Sequence, residues 1–184
     1  EGIPSDNNTT GTWVVDIPMG SYSSGVIVQT DAQTTPGGVA CALTGNAAST
    51  TAGVGDNDVD AGCTTLVSPE FDLSGYTNPL FTYMKWYTNN PPSGANPRAD
   101  WWQVQVSNNG STWTYVENTL AGERNWRRFA FRVKDYLTLT SHVKVRFIAS
   151  DSTHTGQNLD GGSLIEAAID DLKLYEEGID HSGI

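Results

Sequence analysis

Strict two-residue alternation recurs along this chain, and nothing in it holds a helical period. Residues 101–107 read WWQVQVS, residues 108–111 read NNGS, and residues 112–117 return as TWTYVE. Period two is the signature of a strand with one face buried, and Asn-Gly adopts the positive φ that a tight turn needs. Residues Leu80 to Tyr87 (LFTYMKWY) make another candidate strand. Residues Arg127 to Val133 put Phe129, Phe131 and Val133 on one side, and His142 to Ala149 put Val143, Val145, Phe147 and Ala149 on one side. Leu164 to Leu174 holds one or two further strands, and earlier candidates are Thr12–Asp16, Val26–Thr30, Val39–Leu43 and Thr64–Val67. Gly, Pro or a β-branched pair interrupts every stretch long enough for a helix. Short strands at this spacing, joined by turn-rich loops, predict an all-β chain: an antiparallel β-sandwich of jelly-roll type.

A length of 184 residues predicts one domain, with a core over about 12–175 and ends that read as frayed or linker-like. The Pro/Gly/Asn-rich segment Asn89 to Asp100 falls within a strand pair, so it reads as a surface loop. A net charge of −11 argues against a nucleic-acid groove and against an anionic membrane surface. No apolar run is long enough to span a bilayer as a helix. Only 10 residues are Lys or Arg while 19 are Gly, and Thr, Ser and Asn crowd the loops. That usage is typical of secreted bacterial β-proteins. The chain starts at Glu1 without a signal-like segment, which is expected of a processed or excised piece. Cys41 and Cys63 are either two free thiols or one disulfide, which would constrain the unfolded chain by about 3 kcal/mol. The extracellular character favours the disulfide. His142, His154 and His181 are too remote in sequence from both cysteines to suggest zinc.

Five blocks occur in order: GNAASTTAGVGDNDVDAGCTTLVSPEFDLSGY, YMKWYTNN, VQVSNNGSTWTYVEN, VKVRFIASD and SLIEAAIDDLKLY. Together they resemble the MAM-like jelly-roll accessory domains of secreted bacterial proteins, which are related to cleaved-adhesin modules. The resemblance implies a galactose-binding-like or MAM-like sandwich without catalysis. It also implies a place beside a peptidase or glycoside hydrolase in one parent chain, and structural Ca2+.

Asp56, Asp58 and Asp60 are alternating carboxylates that repel one another without a cation, and calcium takes six to eight oxygens. The run is not an EF-hand, because its twelfth position is Val67. Asp170 and Asp171, adjacent acids near a strand end, are the expected further ligands, and the resemblance points the same way. For a glycan, the candidate face combines Tyr83, Lys85 and Tyr87 with Trp101, Gln103, Arg128 and Arg146, since rings stack on sugar C–H faces while amides and guanidinium groups take hydroxyls. On the alternative reading, Trp101 covers a sheet edge and the basic residues pair with Glu117, Asp135 or Glu166. Trp86, Trp102, Trp113 and Phe147 read as core. Glu166, in an otherwise apolar strand, is expected to pair with Arg146 or Lys144. No catalytic motif occurs, so an enzyme is not expected; a polysaccharide lyase or hydrolase is the residual possibility. The expected role is a calcium-stabilised carbohydrate-binding module of a secreted enzyme, with a protein-contact or spacer domain as the alternative.

Overall fold

In the computed structural model, which describes residues 5–151 and 162–178, the alternating segments become two facing antiparallel sheets. The strands are Trp13–Asp16 (β1), Tyr22–Ser23 (β2), Val26–Ile27 (β3), Cys41–Thr44 (β4), Cys63–Val67 (β5) and Pro79–Thr88 (β6). They continue with Trp102–Ser107 (β7), Thr114–Thr119 (β8), Glu123–Arg132 (β9), Lys144–Ser150 (β10) and Glu166–Glu176 (β11). One sheet has the order β1-β4-β11-β6-β9 and the other β5-β10-β7-β8, while β2 and β3 form a small hairpin. Among the described residues the one helical element is a single 3-10 turn, Val133–Asp135, and no helix is long and apolar enough to cross a membrane. The fold is an antiparallel β-sandwich of jelly-roll type.

The core lies between the sheets. Phe81, Tyr83, Tyr87 and Phe131 of the larger sheet meet Trp102, Val104, Val145 and Phe147 of the smaller. The larger sheet is also covered on part of its outer side. There Cys41, Leu43, Trp86 and Ala168 pack against Ile27 and Trp126, and Trp86 Nε1 donates to the Val28 carbonyl at 2.9 Å. Two residues were too few for β2 to show a period in the sequence.

Two bulges matter below. Between β7 and β8, Val104 pairs with Glu117 but Gln105 pairs with Tyr115, so Val116 is the extra residue. In β11 the register slips between Asp170 and Lys173, and Asp171 takes φ 53°.

Two expectations are corrected. Cys41 and Cys63 are free thiols. Cys41 shares the outer side of its sheet with Leu43, turned away from the core, whereas Cys63 opens a strand of the other sheet. The N-terminal segment does not fray from its sixth residue onward. Asp6 accepts from Thr65 N at 2.9 Å and Thr65 Oγ1 at 2.7 Å, and Thr9 N donates to the Asp60 carbonyl at 2.9 Å. At the other end Glu177 holds Arg132 Nε at 2.5 Å. Residues 1–4 and 179–184, with His154 and His181, lie outside the described residues.

Candidate functional site

The outer face of the smaller sheet is built by register. Arg146 of β10 pairs with Val67 on one side and Gln105 on the other, and Gln105 pairs with Tyr115. Val67, Arg146, Gln105 and Tyr115 therefore form one row across four strands, pointing away from the core. Thr65, Ile148, Gln103 and Asn118 form the adjacent row. Arg146 Nε donates to Gln105 Oε1 at 2.7 Å, and its guanidinium carbon lies 4.2 Å from the centre of the Trp113 ring. Partial burial lowers the Arg146 pKa, while Tyr115, Asp6 and Cys63 oppose that shift. Gln103 Nε2 donates to Asn118 Oδ1 at 3.1 Å, and Tyr115 is 51% exposed. Trp101 flanks the face, with its carbonyl accepting from Ser150 N and Oγ. The face thus joins rings, amides and one stacked guanidinium. Trp113, read from the sequence as core, is half-buried and belongs here.

The predicted ligand set is divided by the fold. Gln103, Arg146 and Trp101 lie on or beside this face. Tyr83, Lys85 and Tyr87 do not: they point between the sheets and are 1%, 8% and 1% exposed. Alternation told which residues share a side of β6 but not which side is the inner one. Lys85 Nζ meets Glu117 Oε2 at 2.9 Å, and Glu117 also accepts from Tyr83 OH at 3.1 Å and Trp102 Nε1 at 2.5 Å. Tyr87 OH donates to the Asp100 carbonyl at 3.0 Å. Lys85 and Tyr87 help line a cavity of about 290 Å³ where the sandwich opens between β8 and β9. Arg128 lies on the exposed outer side of the other sheet, near Asp171.

The Asn89–Asp100 loop is fixed by its own bonds. Asn89 Nδ2 donates to the carbonyls of Asp100 and Leu120, Arg98 N donates to the Asn89 carbonyl, and Ala95 N donates to that of Gly162.

The acidic residues also separate. Asp56 is exposed and accepts from Gly53 N. Asp170 accepts from Thr34 and Thr35, and Asp171 accepts from Thr35 and pairs with Lys173 at 3.0 Å. Asp58 instead lies within electrostatic reach of Asp60 and of Asp151, which follows β10 and is isolated in sequence. Asp58 is 1% exposed; its Oδ2 accepts from Ile165 N at 3.4 Å, and its Oδ1 has no hydrogen-bond partner. Burial first, with Asp60 and Asp151 adding, pushes its carboxyl up to about 8. Two glycines let this loop press inward. A Cβ on Gly11 (φ 72°) would meet Val59 N at 2.5 Å, and one on Gly45 (φ 45°) would meet the Asn57 carbonyl oxygen at 2.1 Å.

Among the described residues no three His, Cys, Asp or Glu side chains stand in a ready-made metal arrangement. The buried Asp58 Oδ1, without a hydrogen-bond partner among the described residues, is an oxygen that a hard divalent cation would satisfy. Asp56, Asp170 and Asp171 do not fit that group.

Among the described residues Glu166 has no cation as a hydrogen-bond partner, contrary to expectation. Gln29 Nε2 donates to it at 2.7 Å and Thr44 Oγ1 at 3.2 Å, beneath the β2–β3 hairpin. Burial, with Asp58 nearby, raises its pKa well above the usual carboxylate value.

No family model and no curated protein sequence matches the chain, so the MAM-like resemblance stays one of sequence blocks. Among solved structures the chain is similar to the module TmCBM61 in complex with β-1,4-galactotriose. That match has 12% identity, 96% of this chain and 91% of that one covered, and a TM-score of 0.43. It is also similar to a family 16 carbohydrate-binding module, at 12% identity, 76% and 78% coverage and a TM-score of 0.36. A third is the CBM22-1–GH10 part of a Clostridium thermocellum endo-1,4-β-D-xylanase complexed with xylohexaose. It matches at 12% identity over 96% of this chain and 27% of that one, with a TM-score of 0.39.

Proposed function

We propose that this protein is a non-catalytic carbohydrate-binding module that holds a glycan across the outer face of the smaller sheet. The carrying observation is the row from Arg146 through Gln105 to Tyr115, with Arg146 stacked on Trp113. Rings offer a platform to sugar C–H faces, and the amides and guanidinium group supply directional bonds. The module serves, on this reading, a catalytic domain of the same extracellular parent protein. Calcium is part of the proposal: Asp58, Asp60 and Asp151, with backbone carbonyls, would hold it. When bound it supplies a charge that offsets the buried carboxylates.

Affinity electrophoresis against plant, algal and bacterial polysaccharides tests the reading. The panel includes β-1,4-galactan and xylan. Retardation by one polymer class is expected, and Tyr115→Ala or Trp113→Ala should weaken it by about tenfold, the loss of one ring contact of roughly 1.4 kcal/mol. Arg128→Ala should change nothing. No retardation by any polymer, or retardation untouched by both ring variants, overturns the proposed site. New reducing ends or unsaturated products would overturn the absence of catalysis.

A second reading, as a protein-contact or spacer domain, is favoured by one feature. The edge strand β1 and its surroundings expose Val15 (75%), Val39 (67%) and Ile17 (57%).

A further inference from the structure

The opening between β8 and β9 holds chemistry that the outer face does not use. Lys85 is buried there beside Glu117 and lies 3.9 Å from the centre of the Phe129 ring. A buried ion pair is a poor stabiliser compared with apolar residues of the same volume, because each ion loses its hydration. Its presence beside a core otherwise made of apolar and aromatic side chains asks for another reason. Glu117 is fully engaged, by Tyr83, Lys85 and Trp102. Lys85 is less so: an ammonium carries three donors, and among the described residues one hydrogen bond goes to Glu117 while the centres of the Phe129 and Trp102 rings lie 3.9 and 5.6 Å from the nitrogen. The group lines the cavity, so an acceptor that enters it can take an N–H that no oxygen holds among the described residues. Burial lowers the Lys85 pKa, and Glu117 acts against that shift.

The cavity's chemistry narrows the guest. A second pair, Arg127 with Glu123 at 2.7 Å, sits at the mouth. Two basic and two acidic groups leave no net charge to attract an ion. The remaining walls include the Phe129 ring and the Asn125 amide. Paired acids and bases, an amide and a ring suit hydroxyls and a C–H face together. A volume of about 290 Å³ is at the small end of ligand pockets, which run to roughly 1,000 Å³. We propose that this opening is a second binding site, which takes a single neutral sugar residue, free or at the end of a glycan chain. The site reaches inward from the outer face: Glu117 and Tyr115 project to opposite sides of β8, while Asn118 of the outer row stands at the rim of the opening.

The test is an NMR titration of the whole chain with neutral monosaccharides and with a uronic acid, following the Trp102 and Trp113 indole N–H signals. A neutral sugar is expected to move Trp102, which donates to Glu117, while leaving Trp113 in place. The uronic acid should bind no more tightly. Asn125→Trp, which fills the mouth from an exposed position, should reduce the affinity at least tenfold with an unchanged melting temperature. Trp113→Ala should leave this response intact even where it abolishes polymer binding, which separates the two sites. If no neutral sugar moves Trp102, if the uronic acid binds tenfold better, or if Asn125→Trp binds as the wild type does, the proposal is overturned.

Discussion

Asp58 and Glu166 are the residues whose burial most needs an explanation. Both carry raised pKa values, so the folded protein holds protons that the unfolded chain releases. Their contribution to stability is complete below about pH 4, the usual carboxylate range, and is lost as pH rises toward the Asp58 value of about 8. The partly buried carboxylates Asp171 and Glu177, held by Thr35 and Arg132 first, have lowered values and so lose nothing as pH rises. In EDTA the melting temperature is therefore expected to fall between pH 5 and pH 8. Added calcium should raise it more at pH 8 than at pH 5, where a proton competes for Asp58. Calorimetry at both pH values with and without calcium checks this. A flat or rising profile in EDTA contradicts the carboxylate reading, and no response to calcium removes the metal. The sequence showed the DNDVD run but could not show that Asp56 would turn to solvent or that Asp151 would arrive from the end of β10.

At the scale of elements, what the sequence made legible depended on how many faces of a strand are covered. In β7 the alternation of Trp102, Val104 and Val106 against Gln103 and Gln105 placed each residue on the correct side. In β6 the same alternation misled, since one side meets the other sheet and part of the opposite side lies under the β2–β3 hairpin. A Lys at an inward position reads from sequence as a sign of the outer side. Connections also carry stability. Gly11 brings the start of β1 against Asp58 and Val59 with a positive φ. Gly11→Ala is expected to cost about 2–3 kcal/mol from strain and contact, or on the order of 5–10 °C in melting temperature. Gly110→Ala, also at positive φ but in open space, should cost less. Equal losses would show that space around Gly11 is not limiting.

For the whole molecule, the sandwich does without the covalent link that its composition suggested. Two sheets enclosing a core of aromatic and aliphatic side chains suffice at this chain length. Burial and the nearby Asp170 push the Cys41 thiol up to about 12, so it is a poor nucleophile, and burial raises Cys63 as well. Protein unfolded without reductant should titrate two thiols with Ellman's reagent, and dithiothreitol should leave the native melting temperature unchanged. A titre of zero would restore the disulfide.

The bulge at Val116 has a consequence for how such a chain can change over generations. Tyr115 and Glu117 are two positions apart, a spacing that ordinarily puts both on one side of a strand; the extra residue between them sends one outward and the other inward. Point substitutions in β8 alter one side at a time. Straightening the bulge with the chain length kept would set both on the same side, and either the exposed ring or the acid that holds Tyr83, Lys85 and Trp102 would be surrendered, whereas loss of the codon for Val116 would leave them adjacent and still on opposite sides. What this strand must hand on is therefore its pairing register with β7 rather than its length.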